Sequence, residues 1–294
     1  MKSRLKRVAL GLGGILLLAG CLPLEFADLE RTATYNVTVD AVELEVMTSN
    51  GNVEIVGAAG ATEVRVTARL WSRGTTAAEA MARLAQINVD MIQVGNLITL
   101  RYDAVAHPID VRRFSGVDFQ VEVPETTHAS VQTSNGRIEV TTLTGVLDLL
   151  TSNGRVEVED SLVEATARTS NGRICFAFVE GILDLETSNG AIELESVDGV
   201  VNAETSNGSI TYAGYLLPDV DHSMVTTNGN IDLAIRSDAS LIVNATTSNG
   251  QIVSTLPLIG DTAGKEWSAV LNPPATGTLT LQTSNGQITM HGIF

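Results

Sequence analysis

The chain has 294 residues, 44% of them hydrophobic, enough for a sizeable core. Its 4% aromatic content and two cysteines leave little for stacking platforms or a disulfide framework. Lys and Arg number 18 against 34 Asp and Glu, a net charge of −16, and so acidic a surface excludes nucleic-acid binding and repels anionic lipid headgroups.

Residues 1–20 read as a lipoprotein signal peptide. Met1–Arg7 is basic, Val8–Leu18 is a short apolar run, and Leu18-Ala-Gly-Cys21 has the form of a lipobox that leaves Cys21 lipidated at the new N-terminus. The run is too short and Gly-rich for a transmembrane span. Four of the 18 basic residues and no acids lie in this segment, so the mature chain carries 14 bases, 34 acids and a net charge of about −20. Leu22 is not the Asp that would direct inner-membrane retention, which points to the outer membrane or cell surface.

Residues 21–130 read as an N-terminal β region. Ala33–Val39, Val42–Met47, Val53–Val56 and Glu63–Trp71 alternate apolar and polar residues, the period of a half-buried strand. Thr75–Gln86 is Ala-rich, with Thr76 as cap and Glu79 three residues on, and predicts the one short helix, which would cover the open end of the stack. Ile87–Tyr102 returns to strands around Gly95-Asn96. Ile109–Ser115 reads as a loop, and Val117–Pro124 leads into the regular array.

Residues 131–294 repeat. Thr-Ser-Asn-Gly stands at Thr133, Thr151, Thr169, Thr187 and Thr205, a strict step of 18. It continues at Thr226 (with Thr for Ser) and Thr247 in steps of 21, returns at Thr283 after 36, and has one upstream copy at Thr48. A fixed period of this length predicts a solenoid of stacked coils. Counting from the Thr, position +5 is Ile138, Val156, Ile174, Ile192, Ile210, Ile231, Ile252 and Ile288; position +7 is also largely apolar, while +4 and +6 carry Arg137, Arg155, Arg173 and Glu139, Glu157, Glu193. With a second apolar position two residues before each Thr, every coil has two strands, and a second turn falls near Gly145, Gly181 and Gly199. The expected fold is all-β, a solenoid of 18–21-residue coils.

Simple alternation points the Thr and Asn of each motif inward and the Ser outward. Stacking would then line up Asn135, Asn153, Asn171, Asn189, Asn207, Asn228, Asn249 and Asn285, about 4.8 Å apart, as a structural ladder of side-chain amides; a column of Thr hydroxyls could do the same. Thr255–Thr278, with Pro257, Pro273 and Pro274, suits one degenerate coil plus a surface excursion bearing Trp267.

The recurrent T-S-N-G-x-I-x-V pattern, clearest from Thr133–Val140 to Thr205–Tyr212, resembles the candidate-adhesin family of bacterial β-strand repeat proteins. The resemblance covers most of the mature chain. It implies a stacked β fold and a cell-envelope location, and brings no catalytic residues.

Chemistry is sparse. His107, His128, His222 and His291 are scattered, without metal-ligand spacing, and the glycines mark turns rather than a phosphate loop. Cys175 lies outward between Glu157 and Glu193, where acidic neighbours raise its pKa. Glu139 and Glu157, expected on adjacent coils, could in principle form a glycosidase pair, but their register with Arg137 and Arg155 suits a charge lattice. No catalytic residue, metal or cofactor is expected. The sequence reads as a lipid-anchored envelope protein with an adhesin-like or structural role and a surface protein or polysaccharide as partner. The alternatives are a polysaccharide-binding or -degrading β-helix and an accessory of envelope-stress sensing; ice binding would need outward Thr.

Overall fold

A computed structural model describes residues 24–37, 41–102 and 108–293. Cys21, the signal segment and His107 lie outside them. The chain divides into two compact units, Met1–Gly136 and Arg137–Phe294.

In the first unit, β2 (Val42–Met47) runs parallel between β6 (Leu97–Arg101) and β8 (Thr127–Gln132), with Val46 opposite both Leu100 and Val131. β5 (Asp90–Val94) adds antiparallel to β6. A second strip places β3 (Val53–Ala58) parallel to β7 (Ser115–Pro124), then β4 (Glu63–Gly74) and β1 (Glu25–Asn36) antiparallel beyond it. The alternation sends Val46, Leu100 and Val131 of one strip, and Ile55, Phe119 and Val66 of the other, into the core. Thr48–Gly51 forms the corner between β2 and β3 and stacks directly on the corner at Thr133–Gly136: the Thr133 hydroxyl donates to the Gly51 carbonyl at 3.1 Å, and the Asn135 amide to Asn50 Oδ1 at 2.7 Å.

Helix α1 (Ala77–Leu84) starts at Thr76, whose side chain accepts the Glu79 N–H at 3.2 Å. The Glu79 carboxylate accepts from both the backbone and the hydroxyl of Thr75 at 2.7 Å, a capping box displaced by one residue. The helix packs on β1 and β4, with Ala80 buried and its carbonyl held by Ser72. It therefore lies on the last two strands of that strip, of which β1 is the outermost among the described residues. The stretch expected as a loop holds a second short helix, α2 (Ile109–Phe114), anchored by buried Val111.

The second unit is the regular solenoid. β9 (Ile138–Thr141), β10 (Thr144–Leu150), β11 (Val156–Thr169), β12 (Ile174–Thr187), β13 (Ile192–Thr205) and β14 (Ile210–Leu216) pair parallel in register, Val156 opposite Ile138 and Ile174, Ile174 opposite Ile192, Ile192 opposite Ile210. These β-branched residues form one inward column, all fully buried. Each coil bends twice. The second bend is at Thr142, Asp160, Phe178 and Ser196, all with φ near +50 to +57, and not at the glycines three residues later. Gly181 and Gly199 lie within the strands, where a side chain would meet the backbone of the preceding coil: a Cβ on Gly181 would stand 1.8 Å from the Val163 carbonyl oxygen.

Beyond β14 the stacking order leaves the chain order. β15 (His222–Thr226) and β16 (Ile231–Arg236) are followed in the chain by β17 (Leu241–Thr247) and β18 (Ile252–Ser254), yet β15 does not pair with β17. The C-terminal strands β21 (Thr278–Thr283) and β22 (Ile288–Ile293) fill the slot, parallel to β15 and β16 on one side and to β17 and β18 on the other. The supposed degenerate coil is a hairpin instead: β19 (Leu258–Asp261) and β20 (Glu266–Leu271) pair antiparallel, and β20 lies antiparallel along the outer edge of β17. An antiparallel cover of this kind ends a parallel stack by occupying its edge.

Candidate interaction surface

The Thr-Ser-Asn-Gly corners set what faces out. Thr is buried at every copy, Gly takes the next inward place, and Ser and Asn both face solvent in the solenoid. The expected inward Asn is corrected on this point. The reason is the close approach of successive corners: a Cβ on Gly172 would sit 1.6 Å from the Gly154 carbonyl oxygen. Only Gly fits there, so the chain turns Gly inward and Asn out. The buried hydroxyls bond to backbone. Thr187 donates to the Gly172 carbonyl of the preceding coil at 3.0 Å and accepts the Gly190 N–H of its own coil at 3.2 Å, and Thr169 does the same with Gly154 and Gly172.

The amides form an exposed row. Asn171 donates to Asn153, Asn189 to Asn171, Asn207 to Asn189 and Asn228 to Asn207, at 2.7–2.9 Å. Asn285 then donates to Asn228, and Asn249 to Asn285, so the row follows the stack and not the chain.

Two outward sheet faces flank this row. On the first, Arg137 pairs with Glu139 and Glu157, Arg155 with Glu157 at 2.6 Å, and Arg173 with Glu193 at 3.0 Å. The carboxylates that could have formed a hydrolytic pair are thus engaged by guanidinium groups. Cys175 stands between Glu157 and Glu193 in register; burial first, and the Glu193 charge second, push its thiol up to about 11.

The second face differs. Arg168 bridges Asp184 (3.1 Å) and Glu186 (3.3 Å) at a shallow polar cleft that Asn202, Glu204 and Ser223 also line. Towards the second bend, Leu162, Phe178 and Ile182 are 50%, 60% and 51% exposed among Glu164, Glu180 and Asp198. Extending the alternation from inward Val163 and Leu183 would have put Leu162 and Ile182 outside.

Among the described residues, no cluster of three or more His, Cys, Asp or Glu could hold a metal ion. His222 is buried: its Nδ1 accepts the Val201 N–H at 3.3 Å and its Nε2 donates to the Leu217 carbonyl at 2.9 Å. Trp267 lies half-buried in β20, opposite Ala245, and not on a loop.

Parallel coils stacked through Thr–Gly corners, with rows of identical outward side chains, define a β-solenoid built of surface ranks. The chain belongs to the family described as Toastrack DUF4097, whose model matches residues 36–291. No curated protein matches the sequence. Among solved structures it is similar to a candidate adhesin from Bacteroides fragilis NCTC 9343 (12% identity, 90% of this chain and 97% of that one, TM-score 0.42). It is also similar to a candidate lipid binding protein from Parabacteroides distasonis ATCC 8503 (11%, 90% and 97%, TM-score 0.36) and a candidate cell adhesion protein from Clostridium sporogenes ATCC 15579 (9%, 90% and 100%, TM-score 0.30).

Proposed function

We propose that this protein is a lipid-anchored, extracytoplasmic solenoid that holds a surface protein or polysaccharide at the cell envelope, without catalysing a reaction. The observation that carries the reading is the ranked surface. Parallel backbone pairing, in unbroken register from β9 to β13, fixes outward side chains at strand spacing over several coils, which suits repeated weak contacts with an extended partner. The Arg–Glu pairing on the first face supports a binding role over hydrolysis, since a general acid needs a carboxyl free to take up a proton. The lipobox ending at Cys21 supports the anchor, and the acidic mature chain supports a body repelled by the membrane to which the anchor ties it.

The test has two arms. Wild type should sediment with membranes and incorporate labelled palmitate, whereas Cys21→Ser should do neither; a variant that still labels defeats the anchor. The lipid-free mature chain should bind isolated envelopes saturably, in competition with unlabelled chain. Failure to bind defeats the interaction role.

A further inference from the structure

The second bend carries an anomaly. Its four residues in the solenoid are Thr142, Asp160, Phe178 and Ser196, and Phe178 adopts φ 55 while 60% exposed. The left-handed region suits Gly, Asn and Asp; a bulky aromatic held there is strained. An exposed ring gains little from burial to offset this. Asp160 at the equivalent place in the preceding coil shows that the bend itself does not require an aromatic.

The ring also has company. Register sets Leu162 opposite Glu180, with Phe178 and Ile182 two residues to either side of Glu180 on the next coil. Glu164 faces Ile182, and Asp198 faces Glu180 from the coil beyond. The result is a chequered patch in which three exposed apolar side chains alternate with Glu164, Glu180 and Asp198. Among the described residues none of these three carboxylates forms an ion pair; Asp198 accepts the Tyr215 N–H at 3.0 Å and lies within electrostatic reach of Arg236, while Arg168, along the same face, is engaged by Asp184 and Glu186. A patch that is apolar and net negative selects a partner that is apolar and positively charged.

We propose that the patch around Phe178 binds a basic polypeptide segment in which Lys or Arg and apolar side chains take turns along one face, at every second residue. Such a segment, lying extended across the coils, sets its apolar groups on Leu162, Phe178 and Ile182 and its cations against Glu164, Glu180 and Asp198. Anionic lipid and nucleic acid are repelled by the same carboxylates. The proposal rests on the interaction role above and specifies its surface and partner chemistry.

The probe is a short fluorescein-labelled peptide with Lys and Leu in turn at every second position and Ser between them (the Lys–Leu peptide), titrated against the lipid-free mature chain. The comparisons are the same pattern with Ser in place of Leu (Lys–Ser) and with Glu in place of Lys (Glu–Leu). Lys–Leu should bind best, and its affinity should fall as salt is raised. Phe178→Gly should weaken it at least about tenfold, as loss of a central aromatic anchor does, while leaving the melting temperature unchanged or raised, because Gly relieves the left-handed strain. A residue kept for the fold alone would show the opposite pair of effects. Glu164→Gln with Glu180→Gln should weaken binding and flatten its salt dependence.

Equal binding of the Lys–Ser peptide, or undiminished binding by Phe178→Gly, overturns the proposal. So does self-association of the chain that Phe178→Gly abolishes, which would make a second copy the occupant. If the chain still binds envelopes in any of these cases, the interaction role stands and only this surface falls; if it binds no envelope at all, that role falls on its own.

Discussion

At the residue scale, the corner assigns unequal weight to its members. Thr187 is buried and satisfies a carbonyl of one coil and an N–H of its own, so Thr187→Val keeps the shape and orphans both groups. That should cost about 1–3 kcal/mol. Asn189 is exposed, and water can replace its amide partners, so Asn189→Ala should cost less, roughly 0.5–1 kcal/mol, and Ser188→Ala under about 0.5 kcal/mol. Denaturant melts on the lipid-free chain give the order directly; Asn189→Ala costing more than Thr187→Val would reverse the assignment. Within the amide row, Asn285 bonds on both sides and Asn249 only to Asn285, so Asn285→Ala should be the more damaging of those two.

His222 adds a pH dependence. Burial lowers its pKa from the ordinary 6.5, against smaller opposing effects of the Leu217 carbonyl and Asp221. As pH falls through 6.5 the unfolded chain takes up a proton that the native ring refuses, and protonated Nδ1 can no longer accept from Val201. Stability is thus fully present above 6.5 and declines below it, until the native pKa is passed. The melting temperature should drop more between neutral pH and pH about 5 in wild type than in His222→Gln; equal drops would show that His222 is not the group responsible.

At the scale of elements, the repeat was legible and its order was not. The inward column from Ile138 to Ile288 follows from period-two alternation alone, as does the cap at Thr76. The Asn orientation was missed because a contact between coils, Gly172 against the Gly154 carbonyl, breaks the alternation at the corner. No pattern within a single coil reveals such a contact. The slot occupied by β21 and β22 was missed for a related reason: a step of 36 gives the spacing of motifs along the chain and says nothing about which neighbour each coil chooses. Of the candidate surface, the Arg–Glu face was legible from its spacing, while the patch at Phe178 lies across coils and emerges only from register.

The inserted coil makes the C-terminus a structural keystone. A chain ending at Gly277 loses β21 and β22, which leaves β15 and β16 unpaired on one side of the slot and β17 and β18 on the other. Exposed strand edges and the uncovered Leu233 and Val243 should bind a hydrophobic dye, and unfolding should be less cooperative than in the full chain. A truncated chain that melts cooperatively within about 2 °C of full length would show that the slot closes without its occupant.

At the scale of the whole molecule, charge opposes the fold that register imposes. Parallel in-register stacking puts like side chains directly over one another, which serves the Ile column and penalises the acidic ones. Glu180 lies opposite Asp198 and Glu186 opposite Glu204, in a chain of net charge −16. Like charges directly opposite across strands are unfavourable, and the net charge adds long-range repulsion. Raising NaCl from about 10 to about 150 mM shortens the screening length from roughly 30 to 8 Å. That hardly touches neighbours on adjacent coils but removes much of the repulsion between distant ones. The ion pairs of Arg137, Arg155 and Arg173 weaken too, but the pairs to Glu139 and Glu193 are exposed and contribute little, and those to Glu157, a largely buried carboxylate, are the less screened. The melting temperature of the lipid-free chain should therefore rise over this range. A fall would mean that the Arg–Glu lattice outweighs the acidic columns, and that the first face is a principal source of stability.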